Sequence, residues 1–171
     1  MASALEKKRM LRVFAVTLLL IQPLMSAKDK EDIRAMAMKA DDPALSEAKK
    51  EAIRTVDIFL ELHEKHKEDL GVYFAIKFGV PHNGDLAYLW YTFEEEKEGK
   101  LFAYHYSIPS GLEEYEKISV NKEQIADWMI NDHGHLIGGW SVRVQRSKLP
   151  EEEREEFDEH ADITNYKEKN F

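Results

Sequence analysis

Cysteine is absent from all 171 residues, which removes disulfides, thiolate nucleophiles and cysteine-type metal sites together, and with them lipid attachment of the bacterial lipoprotein kind. There is no glycine-rich phosphate loop, and Ser107, Ser110, Ser119, Ser141 and Ser147 sit in no nucleophile elbow. Basic charge is scarce: 24 Lys and Arg stand against 33 Asp and Glu, a formal net charge of -9. Such a surface repels phosphate backbones and anionic lipid, which argues against nucleic acid and against peripheral membrane binding. A long hydrophobic run is missing too. The one apolar stretch, residues 13–21, is broken by Gln22 and Pro23, and about 12 largely apolar residues span only about 18 Å as a helix, short of a hydrocarbon core of roughly 30 Å.

What that stretch does have is the order of a secretory leader: Lys7, Lys8, Arg9 and Arg12, then the apolar run, then Ser26-Ala27 before charged Lys28-Asp29-Lys30. Residues 1–27 are therefore expected to be a signal peptide, and the mature chain periplasmic or secreted; an uncleaved N-terminal anchor is the alternative. Cleavage would remove four basic residues and one acidic one, leaving 20 against 32 and a net charge of -12. The rest divides into a linker, residues 28–42, one domain, residues 43–160, and a charged tail, residues 161–171.

Within the domain, Pro43 opens a pattern in which Ala48, Ala52, Ile53, Val56, Phe59, Leu60 and Leu62 recur at spacings of three and four, the mark of a long amphipathic helix ending near Gly71. The period then changes to two. Val72, Phe74, Ile76 and Phe78 alternate with Tyr73, Ala75 and Lys77, Asn83-Gly84 marks a tight turn, residues 86–93 form a second strand, and residues 101–108 a third before Pro109-Ser110-Gly111. Asn121, with Gln124 three residues on, reads as the N-cap of a short helix carrying Ile125, Trp128 and Met129. Residues 135–146 then read as a long fourth strand and residues 151–160 as a last helix. The expected class is α+β: an antiparallel sheet of about four strands, with the long N-terminal helix packed on one face and short helices near the C-terminus.

The segment Ile125-Ala126-Asp127-Trp128-Met129, the polar turn through Gly134, and Leu136-Ile137-Gly138-Gly139-Trp140-Ser141-Val142-Arg143-Val144 is similar to the C-terminal signature of the YegJ-like bacterial proteins, the family of domain of unknown function 2314. The likeness runs more loosely back through Phe74-Ala75-Ile76-Lys77-Phe78, Leu89-Trp90 and Ile118-Ser119-Val120. Residues 107–111 depart from the family, which tends to carry a glycine and an Asn-x-Pro element after the third strand. The resemblance implies a small α+β domain, some members being exported, and supplies no catalytic residues.

The signature therefore needs a physical reading. Glycines at 138 and 139 let backbone approach where a side chain would clash, and Trp128 and Trp140 fill the gap, a device for closing the fold. The functional alternative is a ligand or partner surface of Trp90, Tyr104, Trp128, Trp140 and Arg143, with Asp127 nearby, aromatic platforms for stacking and Arg143 as a fork for a carboxylate. Asp132, His133 and His135 are the candidate metal or acid–base group, because two imidazoles two residues apart can share an ion. His63 and His66 are read as solvated. Two function classes follow. The favoured one is an exported, non-catalytic binding domain with no cofactor, using the sheet that carries Tyr73, Tyr88, Trp90, Tyr91, Tyr104 and Tyr106 to hold a protein or small ligand, basic if electrostatics select it. The other is a metal-dependent or histidine-based hydrolase built on the His105, His133 and His135 region.

Overall fold

The computed structural model describes residues 42–82, 85–107 and 114–166. The expected signal peptide, nearly all of the expected linker, the Asn83-Gly84 turn, the Pro109-Ser110-Gly111 stop and the end of the charged tail lie outside these residues, as do the side chains of His82, His105 and Tyr106.

Helix α1, Pro43–His66, starts where local chemistry says it should. Asp42 is its N-cap, accepting from the Ala44 N–H at 2.9 Å, and proline occupies the first turn, where its missing N–H costs nothing. Ala48, Ala52, Val56 and Phe59 form the buried stripe, while Glu47–Lys50, Glu51–Arg54 and Glu64–Lys67 pair along the solvated side. His63 belongs to the buried stripe, contrary to the expectation of a solvated pair. Its ring lies edge-on between Phe74 at 4.8 Å and Phe93 at 4.7 Å, and burial lowers its pKa.

Six strands follow instead of about four: β1 Val72–His82, β2 Asp85–Lys97, β3 Lys100–Ser107, β4 Glu114–Asn121, β5 Ile125–Asp132 and β6 His135–Gly138, in the spatial order β4-β3-β2-β1-β5-β6 with every pair antiparallel. The first face of the sheet carries Phe74, Ile76, Phe78, Tyr91, Phe93, Leu101, Ala103, Val120, Trp128, Ile130 and Ile137 against α1, around a fully buried Phe59. Only a single 3-10 turn, Lys122–Gln124, stands where the short helix was expected, with Gln124 Oε1 accepting from the Asn121 N–H.

The expected short helix carrying Trp128 is strand β5, and the reason is a bulge. Lys77 pairs with Asp127 and Phe78 with Ile125, so Ala126 is an extra residue on β5. The bulge turns both Ile125 and Trp128, three apart, toward the core, and that spacing imitates a helical stripe. The expected long fourth strand is also two elements. After β6 the chain passes through Gly138 (φ 68°) and Gly139 (φ 63°) into helix α2, Trp140–Lys148, followed by helix α3, Glu151–His160. A Cβ on Gly138 would lie 2.4 Å from Trp128 Cζ3, and one on Gly139 2.8 Å from Leu136 Cδ2. Both the left-handed backbone and the missing side chain are thus required here.

Helices α2 and α3 and residues 161–166 close over the β5–β6 end of the second sheet face. There a smaller apolar cluster of Leu136, Val142 and Ile163 gathers Trp90, Met129, Phe157 and Tyr166. Residues 164–165 extend the β6 edge, with the Leu136 N–H donating to the Asn165 carbonyl and the Thr164 N–H to the Gly134 carbonyl. Among the described residues, no helix is long and apolar enough to cross a membrane.

Candidate functional site: a buried carboxylate and an aromatic sheet face

Asp127 is the charged side chain at the heart of the second-face packing, with no exposed surface. Its Oδ1 accepts from the N–H groups of Trp128 at 2.8 Å and Trp140 at 3.2 Å; its Oδ2 accepts from the Ser141 N–H and the Ser141 hydroxyl, both at 2.7 Å. Trp140 and Ser141 open α2, so this carboxylate does the capping that Gly139, which has no side chain, cannot. Lys77 Nζ lies 3.3 Å from Ser141 Oγ and 5.5 Å over the Trp90 ring. Burial pushes the Asp127 carboxyl up to about 6, opposed by the donors from Ser141 and Trp128 and by the Lys77 charge. Burial likewise lowers the Lys77 ammonium, with Asp127 pulling the other way. The arrangement fixes α2 to β5. The hydroxyl of Ser141 is committed to a carboxylate, a structural use of the group.

Arg143 donates to three backbone carbonyls, those of Gly138, Leu136 and Tyr166, and its guanidinium lies 5.8 Å from both the Trp140 and Tyr166 rings. Arg146 stacks on Tyr166 from 4.7 Å and forks onto Asp158, which also accepts from the Tyr166 hydroxyl. These contacts pin residues 161–166 against α2 and β6. Trp128 is fully buried on the opposite face, its indole N–H donating to the Ala52 carbonyl and to Thr55 Oγ1 on α1, and meets Trp140 edge to face at 6.5 Å. Of the residues grouped in sequence as a surface, Trp128, Trp140 and Arg143 therefore gather around the β6–α2 junction. Trp90 packs on the second-face cluster that includes Val142 of α2, and Tyr104 lies farther along that face on β3.

Among the described residues, no helix covers the rest of that face, over β2, β3 and β4. Alternation in register puts Tyr73, Tyr88, Thr92, Phe102, Tyr104, Lys117 and Ser119 on it, with Thr92 opposite Tyr104, Tyr104 opposite Lys117 and Phe102 opposite Ser119. The aromatic rings are half-buried and Thr92 is exposed. Lys117 Nζ lies 5.1 Å over Phe102 and 5.6 Å over Tyr104, and pairs with Glu94 at 2.5 Å and Glu95 at 3.6 Å. The Tyr104 hydroxyl donates to the other Glu94 oxygen at 2.5 Å. The hydrogen bond to Glu94 raises the pKa of both Tyr104 and Lys117. Phe102 and Lys117 went unremarked in sequence, and Glu94 was read only as the start of a charged turn, residues 94–100, where β2 in fact continues to Lys97. The alternation of Phe102 and Tyr104 with Leu101 and Ala103 was the signal that could have marked Phe102.

His133 and Gly134 form the two-residue turn joining β5 to β6, with φ 52° and 85°. His133 and His135 are exposed, Asp132 stands opposite His135, and His135 bridges to Asn165. Among the described residues, no three His, Asp or Glu side chains gather so as to hold a metal. His105 lies on β3, its side chain outside the described set. An open cleft of about 580 Å³ beside α3 is lined by Arg146, Arg154 and several carboxylates, Asp158 and Glu159 among them.

A six-stranded antiparallel sheet with one long helix on its first face and two short helices over an edge of its second defines a small α+β domain, closed by the Trp128–Gly138 contact and the Asp127 cap. The chain belongs to the bacterial family described as "uncharacterized protein conserved in bacteria", domain of unknown function 2314, whose model matches residues 42–164. It is similar to the "Uncharacterized protein YegJ" of Escherichia coli (strain K12), 27% identical over 120 residues, which cover 68% of this chain and 76% of that protein. No solved structure matches it.

Proposed function

We propose that the protein is an exported, non-catalytic binding domain whose contact surface is the open part of the second sheet face. The observation that carries this reading is the set of half-buried rings at Tyr73, Tyr88, Phe102 and Tyr104 on the part of this face that, among the described residues, no helix covers. Rigid aromatic side chains give contact area at small entropic cost, and a strand scaffold fixes their spacing. Export is supported by the basic residues 7–12, the apolar run behind them and the small residues at 26–27.

Two measurements test it. Mass spectrometry of the protein recovered from fractionated cells reads the N-terminus: a chain beginning near residue 28 outside the cytoplasm supports export, and an intact residue 1 in the cytoplasm refutes it. A photo-crosslinking amino acid at Thr92, on the open face, should capture a partner in the producing cells, whereas one at Glu61, on the solvated side of α1, should not. Equal capture, or capture at Glu61 alone, would refute the assigned surface.

A further inference from the structure

The open face carries a cation site that the protein fills with its own lysine, and we propose that this site receives a lysine side chain of a basic protein partner. The inference rests on the binding role proposed for this face and names the chemistry of its partner. Four groups from two strands converge on one ammonium: the rings of Phe102 and Tyr104 on β3 beneath it, and the carboxylates of Glu94 and Glu95 on β2 beside it. Ring faces and carboxylates attract a cation additively, because the negative face of each ring quadrupole and the formal charges point the same way. Glu94 is also held by the Tyr104 hydroxyl, on the oxygen that Lys117 does not use, so the lysine is not its sole anchor.

The occupant is a replaceable one. Lys117 comes from β4, the outermost strand, and its side chain is 41% exposed, so it can swing into water without disturbing the sheet. The second cation on this face behaves oppositely. Lys77 lies over Trp90 and faces the buried Asp127, and withdrawing it would leave that carboxylate without its counter-charge. Charge complementarity selects the partner's sign: a chain of net charge -9 attracts basic proteins at long range, and the cage at Phe102 and Tyr104 gives a short-range reason for lysine to dock.

The test is calorimetric titration of the full-length protein with an amidated trilysine peptide, and with triglutamate as control. Lys117→Met removes the internal competitor and should tighten trilysine binding by about threefold or more, a gain of the size expected for an exposed cation–ring contact. Lys65→Met, which makes the same change in net charge on α1, should leave it unchanged. Glu95→Gln and Phe102→Leu should each weaken it by a similar factor, and Glu152→Gln on α3 should not. Thermal melts show whether each variant is folded. A Lys117→Met variant that binds no more tightly, or a Lys65→Met effect as large, overturns the proposal. If trilysine fails to bind while the crosslinker at Thr92 captures a partner, the face binds but not through this cage. If both fail, the binding reading falls with it.

Discussion

Replacing Asp127 by alanine takes away the acceptor of four hydrogen bonds at once and leaves the buried N–H groups of Trp140 and Ser141 at the start of α2 without their cap. Each orphaned buried donor costs about 1–3 kcal/mol. Breaking a buried charge arrangement by removing one partner, here the carboxylate facing Lys77, costs about 3–5 kcal/mol in all, and the relief of no longer desolvating the carboxylate keeps the total within that range. Against a total stability of about 5–15 kcal/mol for a domain, Asp127→Ala should lower the melting temperature by roughly 10–20 °C. Urea unfolding followed by far-ultraviolet circular dichroism and by tryptophan fluorescence reads the change directly, since Trp128 and Trp140 both touch the capped segment. Asp127→Asn, isosteric and neutral, should lie closer to wild type than alanine does. A cost below about 1 kcal/mol for alanine would refute the assignment of Asp127 as the cap that holds α2 to the sheet.

The same carboxyl also makes stability depend on pH. Its folded value of about 6 lies above the ordinary 3.8, so the folded state holds a proton that the unfolded chain has lost. Its contribution is therefore greatest in acid and is lost as pH rises from about 4 to 6, a change on the order of 3 kcal/mol. The Asp127 variants should lack this slope. His63 acts with the opposite sign: burial between Phe74 and Phe93 depresses it, so its contribution is present above about 6.5 and is lost as pH falls, and His63→Phe should flatten that limb in urea titrations. Gly138→Ala should cost about 3 kcal/mol or more, because the new Cβ meets buried Trp128 from a left-handed backbone; a loss under 1 kcal/mol would refute the close-approach argument. His133→Asn should be neutral or stabilise by about 0.5 kcal/mol, as Asn-Gly is the preferred pair for such a turn, and the melt should be indifferent to chelator. Arg143→Lys removes the fork that binds the Gly138, Leu136 and Tyr166 carbonyls and should cost about 1–2 kcal/mol, with faster hydrogen exchange at the Leu136 and Thr164 amides.

The parts of the fold that were legible in sequence are those set by local period. Helix α1 is visible from its proline start and its three-and-four spacing, and β1 from strict alternation, because in both cases consecutive residues meet one environment. The two segments read wrongly fail for one shared reason: their conformation is decided by a residue far away in the chain. Ile125 and Trp128 look helical because β5 carries one residue more than β1 opposite Phe78, and nothing within β5 announces a bulge that only its partner strand defines. Trp140, Val142 and Val144 alternate like a strand, yet the chain turns at two left-handed glycines and starts a helix whose cap is donated by Asp127, 13 residues earlier than Trp140. Local propensity gives way wherever a buried carboxylate satisfies the free N–H groups of a first turn.

The same logic governs the candidate site. Trp90 and Tyr104 are recognisable as aromatics of the second face from alternation alone, but the cage around Lys117 joins β2, β3 and β4, and only the strand order brings Glu94, Phe102 and Lys117 together. A bulge between Phe93 and Glu95 lets two consecutive carboxylates, Glu94 and Glu95, both reach the Lys117 ammonium, which strict alternation would forbid by sending them to opposite faces. Two bulges therefore do comparable work on the two faces of this sheet: one delivers Trp128 to the core beside Ile125, and the other concentrates negative charge beside the half-buried rings of Phe102 and Tyr104. The second sets its carboxylates where β3 and β4 can use them, since Glu94 accepts from the Tyr104 hydroxyl with one oxygen and meets Lys117 with the other, while Glu95 approaches the same ammonium at 3.6 Å.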